Sequence, residues 1–426
     1  MNAISMHYIE GQYKKSNTGI DSRRAFSISF PVLFLLVVSQ FLSQYIIWGL
    51  LVMALVASIL LSDGKSRLLS MPGFTFYLPI LIIGMISGIV GLWSGKTALW
   101  PYIRDVVYVT LFPLYWFCLT NKNVLPYRNK SEFYRTIYLF CGIMCGTSFF
   151  RKLIALRGTH MTLFELRHVS PVSEIIVALG IAMFFVPARG IRNYKSTVPG
   201  VFSSLFIFLA FALSFSRMTI LYIIILFVFF GVHNRRAVFR ITFLAIAFSI
   251  ISGIIAPDIS GDFFDKIKNS ANEVVGEDKM WTSSEIVENW RGYEVACAKE
   301  TFNEYGAVQQ LFGAGFGKTI DMHGYAYLVT SEPDVPFLHN GYYTTLFKCG
   351  VVGVICMILF FASMFFHAMR LSASYEKSLV LGLVICMAVG SLFVSGVLWR
   401  VVNPLTMILY CEIWRSISED VESKIY

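Results

Sequence analysis

Charge is scarce in this chain: only 14% of its 426 residues are Asp, Glu, Lys or Arg, against about a quarter in soluble domains. Because 56% are apolar, a water-soluble fold is excluded. Closely spaced cysteine is scarce too. Of eight cysteines, only Cys141 and Cys145 lie fewer than five residues apart, so neither a zinc site nor a disulfide framework is implied. The chain has no Asp-x-Asp motif, which speaks against a metal-dependent nucleotide-sugar enzyme. No small-residue cleavage site follows the first apolar run, so the polar N-terminus reads as a cytoplasmic tail rather than a signal peptide.

What the chain has instead is a series of apolar runs near the ~20 residues that cross a bilayer. Runs such as Leu221 to Gly231 are apolar at consecutive positions, which excludes the alternating pattern of a membrane barrel. Helices satisfy the backbone internally in lipid. The predicted fold is an all-α polytopic membrane protein with about twelve transmembrane helices. The spans fall near 28–44, 45–62, 73–93, 99–119, 133–150, 171–188, 199–215, 217–232, 240–256, 339–366, 378–396 and 400–416. The expected organisation is thus a tail (1–27), nine spans (28–256), a long hydrophilic loop (257–338), three spans (339–416) and a second cytoplasmic tail (417–426).

Charge orients these spans, since Lys and Arg concentrate in cytoplasmic loops. With the N-terminus inside, Lys65, Arg67, Arg128, Lys130, Arg189, Arg192, Arg235, Arg236 and Arg370 all fall inside. The long loop then faces outward and carries fourteen acidic residues against six basic ones. The net charge of +9 is accordingly topology, because the basic residues are scattered in short connectors, and no nucleic-acid partner is expected. One outward connector breaks the rule. Residues 151–170 carry Arg151, Lys152, Arg157 and Arg167 with His160 and His168, against Glu165 alone. Anchoring to lipid head groups and attraction of an anionic substrate both account for it.

Within the loop, Gly313-Ala-Gly-Phe-Gly-Lys-Thr319 has the look of a phosphate loop but is one residue short, since Phe312 stands where a Gly is required. A glycine turn that lets the backbone approach another element closely is the better reading. Upstream, Thr282-Ser-Ser-Glu285 fits a capping box, after which Ile286, Trp290, Tyr293 and Cys297 fall near one helical face. The loop is therefore expected to hold an amphipathic helix, with Arg291 either a solvated surface charge or a functional group.

Arg217 stands between two apolar runs with only Ser214 and Ser216 as polar neighbours. An arginine at such depth costs several kcal/mol unless it snorkels or is paired, on the order of 3 kcal/mol on insertion scales. Arg104, Asp105, Glu174 and Arg400 are raised by the same argument. Arg104 and Asp105 are sequence neighbours, which point in different directions on a helix and need not pair. His339 and Asn340 open the span after the loop, where a helix N-terminus favours a neutral imidazole and a bound phosphate. Such a histidine is either an interfacial capping residue or a base.

Together, Ser-Arg at 216–217, Trp-Arg at 290–291, Leu-Phe-Gly-Ala-Gly-Phe-Gly from 311, and His-Asn at 339–340 followed by Leu346, Gly350 and Gly353 resemble the O-antigen polymerase and ligase family of bacterial envelope glycan enzymes. The resemblance covers roughly residues 205–366; the first 200 match only in span count and hydrophobic character. It implies an inner-membrane glycosyltransferase, with its active site and long loop on the periplasmic side. Such an enzyme takes a glycan from undecaprenyl pyrophosphate and uses no metal, nucleotide or other cofactor. On this reading Arg217 and Arg291 hold the pyrophosphate and His339 takes the proton of the attacking hydroxyl. Asn340, Arg157, Arg167, Arg104, Trp290 and Arg400 are the further expected substrate contacts. Expected partners are the lipid-linked oligosaccharide, membrane lipids and a chain-length regulator. The segment His339 to Gly353, with Tyr342 and Tyr343, looks more like the polymerases than the ligases. A transporter or flippase of lipid-linked sugars is the competing class. Its expected paired repeats are missing, and it has little use for so long a folded loop.

Overall fold

The computed structural model describes residues 29–61, 71–119, 130–156, 173–188, 190–212, 216–231, 281–328, 333–371, 375–399, 406 and 409–411. In chain order the helices are α1 (Phe30–Phe41), α2 (Gln44–Leu61), α3 (Phe74–Trp93), α4 (Leu99–Leu119), α5 (Lys130–Leu156), α6 (Glu174–Phe185), α7 (Ile191–Tyr194), α8 (Val198–Ala212) and α9 (Arg217–Gly231). The loop region adds α10 (Ser283–Glu288), α11 (Trp290–Asn303), α12 (Ala307–Phe312) and two short strands, β1 (Ile320–Asp321) and β2 (Asp334–Val335). After it come α13 (Gly341–Met369), α14 (Tyr375–Phe393) and α15 (Gly396–Trp399). Among the described residues, four helical stretches are long and apolar enough to cross a membrane: Phe74–Trp93, Lys130–Ala155, Gly341–Met369 and Tyr375–Phe393. Shorter apolar helices occupy Val32–Phe41, Gln44–Ala57, Glu174–Phe185, Val198–Ala212 and Arg217–Phe230. The predicted span at 240–256, and most of that at 400–416, lie outside the described residues.

The chain forms two compact units. One comprises residues 1–41 and 125–215, the other residues 42–124 and 216–426. In the first, α5 and α8 approach closely because small residues face each other. A Cβ on Gly142 would stand 2.5 Å from Ser203 Cα, the small-residue contact by which membrane helices gain van der Waals packing. Beside it, the Tyr138 and Ser204 hydroxyls hydrogen-bond at 2.7 Å. Ser29 caps this packing by donating its backbone N–H to Thr136 Oγ1 at 2.9 Å.

The second unit shows how apolar helices deal with freed backbone groups. Pro113 lies inside α4 and lacks the N–H that Val109 O would otherwise receive. The buried Tyr77 hydroxyl of α3 donates to that carbonyl instead. A larger break occurs in α13 at Gly350, whose φ of 69° is non-helical. Helical bonding from residues 351 and 352 to the carbonyls of Phe347 and Lys348 is thereby disturbed. The glycine loop supplies substitutes: Ala314 N donates to Phe347 O at 3.0 Å and Gly315 N to Lys348 O at 2.9 Å. On its other side Phe316 N donates to Gly84 O of α3 at 2.9 Å.

Only glycine fits this wedge. A Cβ on Gly313 would lie 2.2 Å from the Lys348 carbonyl carbon, and one on Gly315 would lie 2.2 Å from Gly88 N. Both residues also have positive φ. The expectation of a close-approach glycine turn is met, and the loop is bound into the helices rather than standing free. Gly315→Ala is expected to cost at least the roughly 1–3 kcal/mol typical of overpacking, and to lower the melting temperature of detergent-solubilised protein by several degrees. An unchanged melting curve would contradict the wedge.

The described part of the long loop has its own core. The predicted capping box is present: Thr282 N donates to Glu285 Oε2 at 2.9 Å, and Thr282 Oγ1 accepts from Glu285 N. The expected amphipathic stretch is divided at Asn289, which ends α10 and whose side chain caps α11 through Gly292 N. Ile286, Tyr293, Cys297 and Ala298 pack on Ile320 and Val335 of the strand pair, and on Met322, Leu338 and Phe347. β1 and β2 are antiparallel, with Ile320 opposite Val335. Phe347 belongs to α13, so loop and helix share one core.

Candidate active site

His339 sits between this core and α13. Its predecessor Leu338 is fully buried, and is tied by its N–H to Thr344 Oγ1 at 3.1 Å and by its carbonyl to Ser395 Oγ at 2.8 Å. The backbone at His339 is therefore held on both faces. The imidazole is 42% exposed and meets a carboxylate that is 2% exposed, that of Glu294 on α11.

Glu294 takes three N–H donors. Trp290, one helical turn before it, donates its indole N–H at 2.7 Å, and His339 donates its backbone N–H at 2.9 Å. His339 Nδ1 lies 2.9 Å from both carboxylate oxygens. A carboxylate that receives indole and amide N–H groups acts as an acceptor here, so the proton of the imidazole resides on Nδ1. Nε2 is left with its lone pair, on a side chain still open to solvent. This arrangement holds the imidazole in one tautomer, and a proton taken up at Nε2 would give an imidazolium steadied by the carboxylate.

Asn340 is the N-cap of α13. Its Oδ1 accepts from Tyr342 N at 3.0 Å and Tyr343 N at 3.2 Å. Two of the helix-terminal donors expected to meet a phosphate are thus filled by the chain itself, and the cap accounts for Asn340 without a substrate. Trp290 is directed at Glu294, which accounts for its conjunction with His339. Arg291 is half-buried in the first turn of α11, three residues before Glu294 and so neighbouring it along the helix. Arg217, also half-buried, is the first residue of α9. Arg157, Arg167 and Arg400 lie outside the described residues.

Arg104 occupies a second polar centre, in α4. Its neighbour Asp105 is fully buried and forms an ion pair with the equally buried Lys348 of α13, while Gly317 N donates to the same carboxylate at 2.7 Å. Arg104 Nε is 3.9 Å from the other Asp105 oxygen. Arg104 and Lys348 both lie over the ring of Phe337, at 5.2 and 4.7 Å from its centroid. Phe337 is two residues before His339, so this charged centre braces the segment that carries the imidazole. Its cations also gain from the ring's negative face.

Glu294 and Lys348 were not among the residues singled out from sequence. Lys348 had a signal: a lysine inside the apolar run after His339 invites the argument applied to Arg217. Glu294 had a weaker one, an acid one turn beyond Trp290 on the predicted amphipathic helix, and nothing local to link it with His339 forty-five residues on. Cys297, on the next turn of α11, is no nucleophile, since burial pushes its thiol up to about 11. Among the described residues, no three His, Cys, Asp or Glu side chains gather as a metal site.

No curated protein matches the chain. The family model described as O-antigen ligase matches residues 202–358, a stretch that runs from α8 into α13 and includes Arg217, Arg291, Glu294, His339 and Lys348. The match covers less than half of the chain, and over residues 202–358 the chain is similar to the O-antigen ligase family.

Proposed function

We propose that the protein polymerises undecaprenyl-pyrophosphate-linked oligosaccharide repeat units into surface polysaccharide, at the periplasmic face of the bacterial inner membrane. The observation that carries this reading is the buried Glu294 carboxylate, which engages Nδ1 of the partly exposed His339 imidazole. A hydroxyl at the end of the incoming unit gives its proton to Nε2 as its oxygen bonds to the anomeric carbon of the growing chain. The bond from that carbon to the pyrophosphate oxygen breaks, and undecaprenyl pyrophosphate leaves with the electron pair. Arg217 and Arg291 receive the charge of the leaving pyrophosphate, since guanidinium forks match its oxygens two at a time. This chemistry draws on no metal, nucleotide or other cofactor, and a chain-length regulator is the natural protein partner.

The polymerase is preferred to the ligase on the sequence from His339 to Gly353. Deleting the gene and separating the surface glycan on a gel tests that choice. Loss of long chains, with a single repeat unit still on the lipid core, is the expected result. A bare core with lipid-linked polymer accumulating would make the protein a ligase that moves finished chains onto lipid A core. An unchanged profile would reject both and favour a transporter. For the arginines, Lys keeps the charge but not the fork. Arg217→Lys and Arg291→Lys are each expected to lower the polymerisation rate about tenfold or more, in line with losing a charge-assisted hydrogen bond. Full activity in both would remove bidentate phosphate holding from the mechanism.

A further inference from the structure

One large cavity in the loop region is not used by the proton transfer above. It measures ≈ 1100 Å³ and is lined on one side by the face of α11 that carries Tyr293, Cys297 and Glu300. Trp281, Tyr325 and, from α13, Leu346 also line it. Three of its rings are set edge to face: Trp281 and Tyr293 centroids are 5.7 Å apart at 69°, Tyr293 and Tyr325 are 5.9 Å apart at 84°. Rings crossed in this way present both edges and faces to the space between them. The polar groups gather at the mouth, where Glu300, Asn303 and Glu304 are exposed. His323 reaches Glu300 there at 3.0 Å. Its φ of 47° is the one positive value among the described non-glycine residues. A side chain held in that region costs energy which the surroundings must repay, a condition common at ligand clamps.

We infer that this cavity is a binding site for neutral sugar rings of the lipid-linked glycan, which rests on the transferase reading above. Aromatic faces match the C–H faces of pyranose rings. The carboxylates and amide at the mouth accept from, and in the case of Asn303 also donate to, hydroxyl groups. Among the charged lining groups Glu300 and Glu304 outnumber Lys299, a balance that favours neutral sugar rings over the lipid pyrophosphate. The volume exceeds the roughly 300–1,000 Å³ of pockets for drug-sized ligands, which suits more than one sugar ring. The same helix supplies the cavity wall and Glu294, so a glycan seated in it is registered against His339 by one rigid element. Specificity for particular sugars then resides in α11 and the turn at His323, apart from the groups that move the proton.

The test uses the full chain in detergent, carrying His339→Ala so that no turnover consumes the ligand. The probe is the free repeat-unit oligosaccharide released by mild acid, which cleaves the glycosyl phosphate bond, from the lipid-linked units of the cells that make this protein. Saturation-transfer NMR is expected to mark its ring protons, and a titration followed by tryptophan fluorescence is expected to saturate. Adding Glu300→Gln or Asn303→Ala, both at exposed positions that leave the core intact, is expected to weaken binding about tenfold. Inorganic phosphate is expected not to compete. Absence of saturation transfer, or equal affinity in both variants, overturns the sugar site. Displacement by phosphate overturns its neutrality. These outcomes are separate from the reaction itself: full polymerisation by His339→Ala in cells would remove the base and leave a sugar site standing, whereas normal binding by the cavity variants beside an inactive His339→Ala would remove the site alone.

Discussion

In cells whose only copy carries His339→Ala, long-chain surface glycan is expected to disappear while the protein remains folded and inserted. The loss in rate should reach about 10²–10⁴, the contribution of a positioned general base. Glu294→Gln is expected to fall in the same range for a different reason. Glutamine fills the same volume, but its amide cannot accept on both atoms from the three N–H groups that now converge there. It also removes the negative charge that steadies the imidazolium. If Glu294 acts through His339, the double variant is no slower than His339→Ala alone, because groups that work as a unit do not add. A merely structural Glu294 gives another pattern: a lower melting temperature and a double variant markedly worse than either single one. Glu294→Asp keeps the charge at the cost of reach and is expected to recover part of the activity. Normal long chains with His339→Ala would end the assignment of the base.

The second large effect concerns stability. Lys348→Met should destabilise the protein by about 3–5 kcal/mol, the penalty for stranding one member of a buried ion pair. Asp105 is the stranded member. It is fully buried and would keep only Gly317 N and the more distant Arg104. Asp105→Asn combined with Lys348→Met removes both charges and is expected to restore much of the loss, since replacing a whole buried pair is often neutral. Thermal unfolding in detergent reads both. Equal melting temperatures for the single and double variants would show that the pair contributes no coupling. Polymerisation should follow stability, because the pair bears on Phe337 and through it on the His339 segment.

How far the sequence discloses this molecule depends on the range of the signal. The apolar runs locate the helices well: the run from 73 to 93 becomes Phe74–Trp93, and that from 99 to 119 becomes Leu99–Leu119. The run read as a span at 133–150 extends to Lys130–Leu156, because Lys, Ser and Glu at its start and Arg-Lys near its end lower the hydropathy without breaking the helix. The Thr282 box is a local pattern and is found as expected, whereas Asn289 as a second cap is hidden by a hydrophobic periodicity that continues across it. The site is harder to see. His339, Asn340 and Trp290 stand out individually, but the carboxylate that unites two of them is an ordinary-looking acid on a helix, buried only by tertiary packing. Arg104 and Asp105 stand out together and, as neighbours on a helix, are not expected to pair; the close partner of Asp105 is Lys348, two hundred and forty-three positions away and beyond the reach of any local pattern.

The wedge at Gly350 bears on the order in which the protein is made. Ala314 and Gly315 leave the ribosome before any of α13 does, so the amides that complete the broken helix already exist when that helix forms. A segment arriving with two inadequately bonded carbonyls finds their donors waiting at its side. Straightening of α13 into an unbroken rod is the alternative for a newborn chain, and docking of the earlier loop selects against it. Folding of this part of the chain would then end with the seating of Gly313–Gly317 between α3 and α13.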